Sequence, residues 1–72
     1  MLDKLIEIIV ANSEGLDPET ITEETDFVSD LGFTSLDIVN CISEAEDLFG
    51  KEIPEEELEH IRTVGDVLEL LK

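Results

Sequence analysis

Leucine, isoleucine and valine recur at helical spacing in three separate stretches of this chain, and no stretch alternates apolar with polar residues as a half-buried strand would. An apolar stripe that repeats at about 100° per residue is buried most simply as an amphipathic helix, so this pattern constrains the fold more than any other feature. The first stripe joins Leu2, Leu5, Ile6, Ile9 and Val10, with Asp3, Lys4 and Glu7 opposite. Asn12-Ser13-Glu14-Gly15 predicts its end, with Gly15 as the terminating glycine. The second runs from about Ser35 to Phe49 through Ile38, Cys41, Ile42, Ala45, Leu48 and Phe49, and Gly50 stops it. Its wet face carries Asp37, Asn40, Ser43, Glu44 and Asp47, and Leu36 falls on that wet side. The third, Val64 to Leu71, has Val64, Val67, Leu68 and Leu71 inward, Thr63 as its cap and Asp66 at the capping-box position. A fourth, short helix is expected from Pro54, which suits a first helical position. Glu55, Glu56 and Glu57 complement the dipole there, and Leu58 and Ile61 are its anchors. The connection from Ser13 to Thr34 is long for a compact domain. Leu16, Ile21, Phe27, Val28 and Leu31 are the residues expected to pin it. The prediction is an all-α domain over residues 1–72: a four-helix bundle of three longer helices and one short, with a long loop between the first two.

Charge narrows the function classes. Twenty Asp and Glu against four Lys and Arg give −16, which excludes a protein that tracks nucleic-acid phosphates and disfavours an anionic membrane surface. Acidic disorder is a poor description of a chain that is 42% apolar with the apolar residues grouped. No run approaches the roughly 20 apolar residues of a membrane span, and no basic-then-apolar signal segment opens the chain. The Met1 start and the lack of linkers suggest a free-standing protein. A single cysteine, Cys41, cannot form an internal disulfide and fits a reducing, cytoplasmic setting.

Few residues offer chemistry. The acidic stretches read as solvated helix surface and contain no calcium-loop pattern. His60 has no Cys or His partner at metal spacing, so neither a metal site nor a catalytic pair is expected. Cys41 lies on an apolar stripe, where a thiol acts as a small hydrophobe. Ser35 stands where the long loop meets the second helix. On position alone a serine there caps the helix, and Thr34-Ser35-Leu36-Asp37 resembles a capping box with Asp in place of Glu. The same place leaves a hydroxyl beside free amides and a helix dipole, an arrangement suited to an attached phosphate.

The segment Asp30-Leu31-Gly32-Phe33-Thr34-Ser35-Leu36-Asp37 resembles the D-L-G-x-D-S-L-D stretch of acyl carrier proteins. Glu52-Ile53-Pro54-Glu55-Glu56-Glu57, Ile61-Arg62-Thr63-Val64 and the upstream Ile21-Thr22-Glu23-Glu24-Thr25-Asp26-Phe27 are similar to further parts of that family in the same order. The resemblance spans nearly the whole chain. It implies a cytosolic, monomeric carrier and no enzyme. Ser35 would receive 4′-phosphopantetheine from coenzyme A through a phosphopantetheinyl transferase and would carry acyl groups as thioesters. Acyl-transferring and acyl-modifying enzymes with basic patches would dock at Leu36, Asp37, Val39, Glu46 and Asp47. The family also shelters acyl chains between its helices; Ile42, Ala45, Phe49, Ile61 and Leu68 would line that space, and each equally fits ordinary core.

Four positions depart from the family pattern. Thr34 replaces the usual Asp, Phe33 replaces a small residue, and Asn40 and Ser43 differ from housekeeping carriers. Fatty-acid, polyketide and specialised pathways, and aminoacyl or peptidyl cargo, stay open. So does an acidic interaction module that mimics nucleic acid and carries no prosthetic group. One further expectation is that Thr34 takes the cap and leaves Ser35 free. Self-repulsion among the acids opposes compactness. The melting temperature is therefore expected to rise from low ionic strength to about 0.15 M salt, where the Debye length shortens to roughly 8 Å. A fall on adding salt would contradict this.

Overall fold

Each apolar stripe becomes a helix in the computed structural model, which describes every residue from Met1 to Lys72. The helices are α1 (Leu2–Ala11), α2 (Ser35–Phe49), the short α3 (Glu55–Leu58) and α4 (Val64–Leu71). Helices α1 and α4 both pack on α2. Their buried faces meet through Leu5, Ile8 and Ile9 of α1, Cys41, Ile42 and Ala45 of α2, and Val64, Val67, Leu68 and Leu71 of α4. The fold is a four-helix bundle without strands; an isolated bridge between Asp26 and Thr63 is its one sheet-like pairing.

The helix ends follow local chemistry, with two shifts from expectation. Helix α1 stops at Ala11, short of Gly15. Asn12 Nδ2 donates to the Ile8 carbonyl at 2.9 Å and the Ser13 hydroxyl to the Val10 carbonyl at 3.0 Å. These side chains add to the Asn12 and Ser13 backbone amides that already bond the last carbonyls, and Gly15 serves the turn beyond. Pro54 stands just outside α3, at its N-cap, not at the first helical position. Gly50 ends α2 as expected, with φ +66° in the left-handed region.

Two apolar residues are not where the stripes put them. Leu48 is 55% exposed. It lies roughly 60° from the centre of the buried stripe at 100° per residue, at the rim of the last turn. Val28 does not pin the long loop; it is 61% exposed. The Asp26 carboxylate accepts the Val28 and Ser29 amides at 2.9 Å each, closing a turn that holds Val28 outside. The other four expected residues do pin the loop, Ile21 and Phe27 buried and Leu16 and Leu31 half-buried, and buried Phe33 joins them. The rings of Phe27 and Phe33 stack at 6.0 Å. Within the loop, Pro18–Thr20 forms one 3-10 turn capped by Asp17.

The loop is also tied by backbone hydrogen bonds to the α3–α4 junction. Phe27 donates to Arg62 at 2.9 Å, Val64 to Thr25 at 3.0 Å and Gly65 to Glu23 at 2.8 Å. A Cβ on Gly65 would stand 2.9 Å from the Glu23 carbonyl oxygen, so the close approach of loop to helix needs glycine at that position. These ties hold in place the segment that runs on into α2.

Helix α4 opens with the capping box that Thr63 and Asp66 predict. The Asp66 carboxylate accepts the Thr63 amide at 3.0 Å and the Arg62 amide at 2.9 Å. Those two bonds, chiefly that from Thr63, hold the carboxyl below its ordinary range against a small opposing cost of burial. A depressed folded pKa contributes stability above the unfolded value, about 3.9 for Asp, and that contribution is lost as pH falls through the folded value. The stability gap between wild type and Asp66→Asn is therefore expected to be widest near neutrality and to close below about pH 4 in urea titrations. A gap that widens in acid would contradict the assignment.

Candidate functional site

The start of α2 answers which of two adjacent hydroxyls caps the helix. Thr34 has extended backbone angles, φ −88° and ψ 172°, and is the N-cap. Its Oγ1 accepts the Asp37 amide at 3.3 Å, while Asp37 Oδ2 accepts the Thr34 amide at 2.9 Å. The Thr34 hydroxyl also donates to Asp37 Oδ2, at 3.1 Å. The reading of Ser35 as the cap is thus overturned, and the Thr34 alternative holds. Ser35 is the first residue of the helix and is exposed, and no protein group engages its hydroxyl.

That geometry suits a phosphate ester. The first amides of a helix have no intrahelical acceptor. With the Asp37 amide taken by Thr34, those of Ser35 and Leu36 remain at the positive end of a 15-residue helix. The Asp37 carboxylate, which would repel an anion, is turned into the capping box. The residues present fit an esterified serine.

Beside the Ser35 side chain a cleft of about 340 Å³ opens between α2 and α3. Val28, Ile38, Val39, Leu58 and Ile61 supply its apolar walls, and Glu59 is its one charged residue. Of the positions that the resemblance marks for acyl shelter, only Ile61 reaches this cleft. Ile42, Ala45 and Leu68 are packed in the core and Phe49 is half-buried against it. Sequence reasoning missed Val28, Ile38 and Leu58 as cleft residues. Ile38 was legible as one turn beyond Ser35, whereas Val28 and Leu58 meet it only through the tertiary fold.

The five expected docking residues separate into two groups. Leu36 is 67% exposed and Val39 41% exposed, and Asp47 is also open to solvent. Asp37 and Glu46 are half-buried and hydrogen-bonded within the protein. At 100° per residue, Leu36 and Asp47 fall within roughly 20° of each other on the outward line of α2, with Asp37 and Glu46 on its two flanks.

The other reactive side chains stand apart. Cys41 is buried, and burial pushes its thiol up to about 11, with the Glu44 and Asp37 carboxylates adding to the effect. It is therefore a protonated, inert hydrophobe at neutral pH. His60 is exposed just past α3.

An exposed serine on a capped helix beside an apolar cleft, in a small acidic bundle, is an arrangement that suits a carrier-type domain. The family model described as phosphopantetheine attachment site matches residues 3–71, so the chain belongs to that family. Its members are carriers, not catalysts, and bear a covalently attached 4′-phosphopantetheine. When attached, that group supplies a thiol on a flexible arm for holding cargo as a thioester. Membership supports a phosphopantetheine carrier over the rival reading of an acidic module without a prosthetic group. No helix is long and apolar enough to cross a membrane.

The capping assignment has a direct consequence. Thr34→Ala is expected to lower stability by about 1 kcal/mol and Thr34→Ser to restore most of it, as read from urea midpoints. An unchanged midpoint in Thr34→Ala would show that the cap is dispensable.

Proposed function

We propose that Ser35 is the attachment point of the arm, and that residues 1–72 act as an acyl carrier serving fatty-acid, polyketide or related biosynthesis. The observation that carries this reading is the free, exposed Ser35 hydroxyl at the first position of α2, with its capping task taken by Thr34. A phosphopantetheinyl transferase loads the serine, and acyl-handling enzymes then visit it. Leu36 and Val39 give these partners an apolar contact, and Asp47, within the −16 field, steers their basic patches. Asp37 stands at the edge of that face, occupied by the cap.

Acyl cargo is favoured because five of the seven residues around the cleft are apolar. Aminoacyl or peptidyl cargo has one observation in its favour, the Glu59 carboxylate at the cleft, which would pair with an ammonium group. The protein is read as a cytoplasmic monomer, consistent with its single, unpaired and buried cysteine.

Incubation with coenzyme A and a broad-specificity phosphopantetheinyl transferase, followed by intact-mass measurement, tests the assignment. The wild-type chain is expected to gain one phosphopantetheinyl group and Ser35→Ala none. An equal gain in Ser35→Ala would place the arm elsewhere.

A further inference from the structure

Glu46 has the composition of a docking residue, an acid on α2, but not the freedom of one. It lies roughly 90° around the helix from the line of Leu36 and Asp47, on the side that carries Ser35 and Val39 toward α3. Its carboxylate Oε2 accepts the amide of Ile53 at 2.7 Å across the α2–α3 connection. Its backbone carbonyl accepts the amides of Gly50 and Lys51. One residue therefore holds the connection at two oxygens. Ile53 is buried, so its amide would lose its partner if the carboxylate were removed. Lys51, the nearest cation in sequence, does not neutralise the carboxylate, because its Nζ donates to the Lys72 carbonyl at 2.7 Å.

The consequence falls on the cleft. Helix α3 is four residues long, has no side-chain cap, and reaches the core through Leu58 and the following Ile61. Both residues wall the cleft beside Ser35. The segment that carries them is tethered at one end by Glu46 to Ile53 and at the other by Arg62 to Phe27. We infer that Glu46 is a positioning residue: its carboxylate straps the α2–α3 connection and so sets the wall of the cleft that faces Ser35, and it is not a docking charge. The effect on cargo rests on the reading of Ser35 as the attachment point; the strap itself does not.

The test compares wild type with E46Q, E46A and D47N. Glutamine keeps an acceptor for the Ile53 amide and removes the charge, whereas alanine removes both. In the unmodified chains, hydrogen exchange of the Ile53 amide is expected to match wild type in E46Q and to be about tenfold faster in E46A. With coenzyme A and the transferase, E46Q is expected to load at the wild-type rate and D47N more slowly. After loading with a hexanoyl group, wild type and E46Q gain melting temperature and E46A does not. Slowing of the transferase by E46Q to the extent seen in D47N would make Glu46 a docking charge and overturn the proposal. Unchanged Ile53 exchange in E46A would overturn it as well. Should wild type accept no arm, the Ser35 reading fails, and the exchange measurement alone still decides whether the strap exists.

Discussion

The reciprocal hydrogen bonds between Thr34 and Asp37 are the interaction on which the proposed site depends. A helix N-terminus must satisfy its orphan amides, and the nearest hydroxyl ordinarily does so. Two hydroxyls stand side by side here. Because Thr34 adopts the extended backbone of a cap and Asp37 answers it, Ser35 enters the helix with its hydroxyl unused. The same pair engages the nearest carboxylate in two hydrogen bonds of the cap. Helix capping and the chemistry of attachment are thus solved by different residues, one position apart.

The remainder of the fold keeps that junction and its cleft in register. The loop before Thr34 would be a liability at its length without its own core. Phe27 and Phe33 supply that core, and hydrogen bonds from Phe27, Val64 and Gly65 tie the loop to the α3–α4 junction. On the far side of the cleft, α3 is too short to be stable by itself and is placed by its connections and by Leu58 and Ile61. The −16 charge has a separate role. It opposes compaction, yet it surrounds an exposed apolar strip at Leu36 and Val39 and suits brief, electrostatically steered encounters.

What the sequence disclosed follows the range of the interactions. Local signals were legible: the 3.6-residue stripes, the Thr63–Asp66 capping box, Gly50 past α2 and the outward Leu36 all describe contacts within a turn or two. The choice between Thr34 and Ser35 as cap was half legible, since both types suit the position and only the backbone angles at Thr34 decide it. Long-range features were hidden. The exposure of Val28 depends on the Asp26 turn, the need for glycine at position 65 on the approach of Glu23, and the strap at Glu46 on an amide seven residues away. Composition alone groups Glu46 with Asp47; their angular positions on α2 separate them.

The central claim is that capping and attachment are divided between Thr34 and Ser35. Amide hydrogen exchange at Asp37, whose N–H is bonded to the Thr34 hydroxyl, tests it most directly when measured in Thr34→Ala and Ser35→Ala chains. Faster exchange in Thr34→Ala, with wild-type exchange in Ser35→Ala, is the predicted result. Acceleration in Ser35→Ala would mean that Ser35 shares the cap, and would contradict the account.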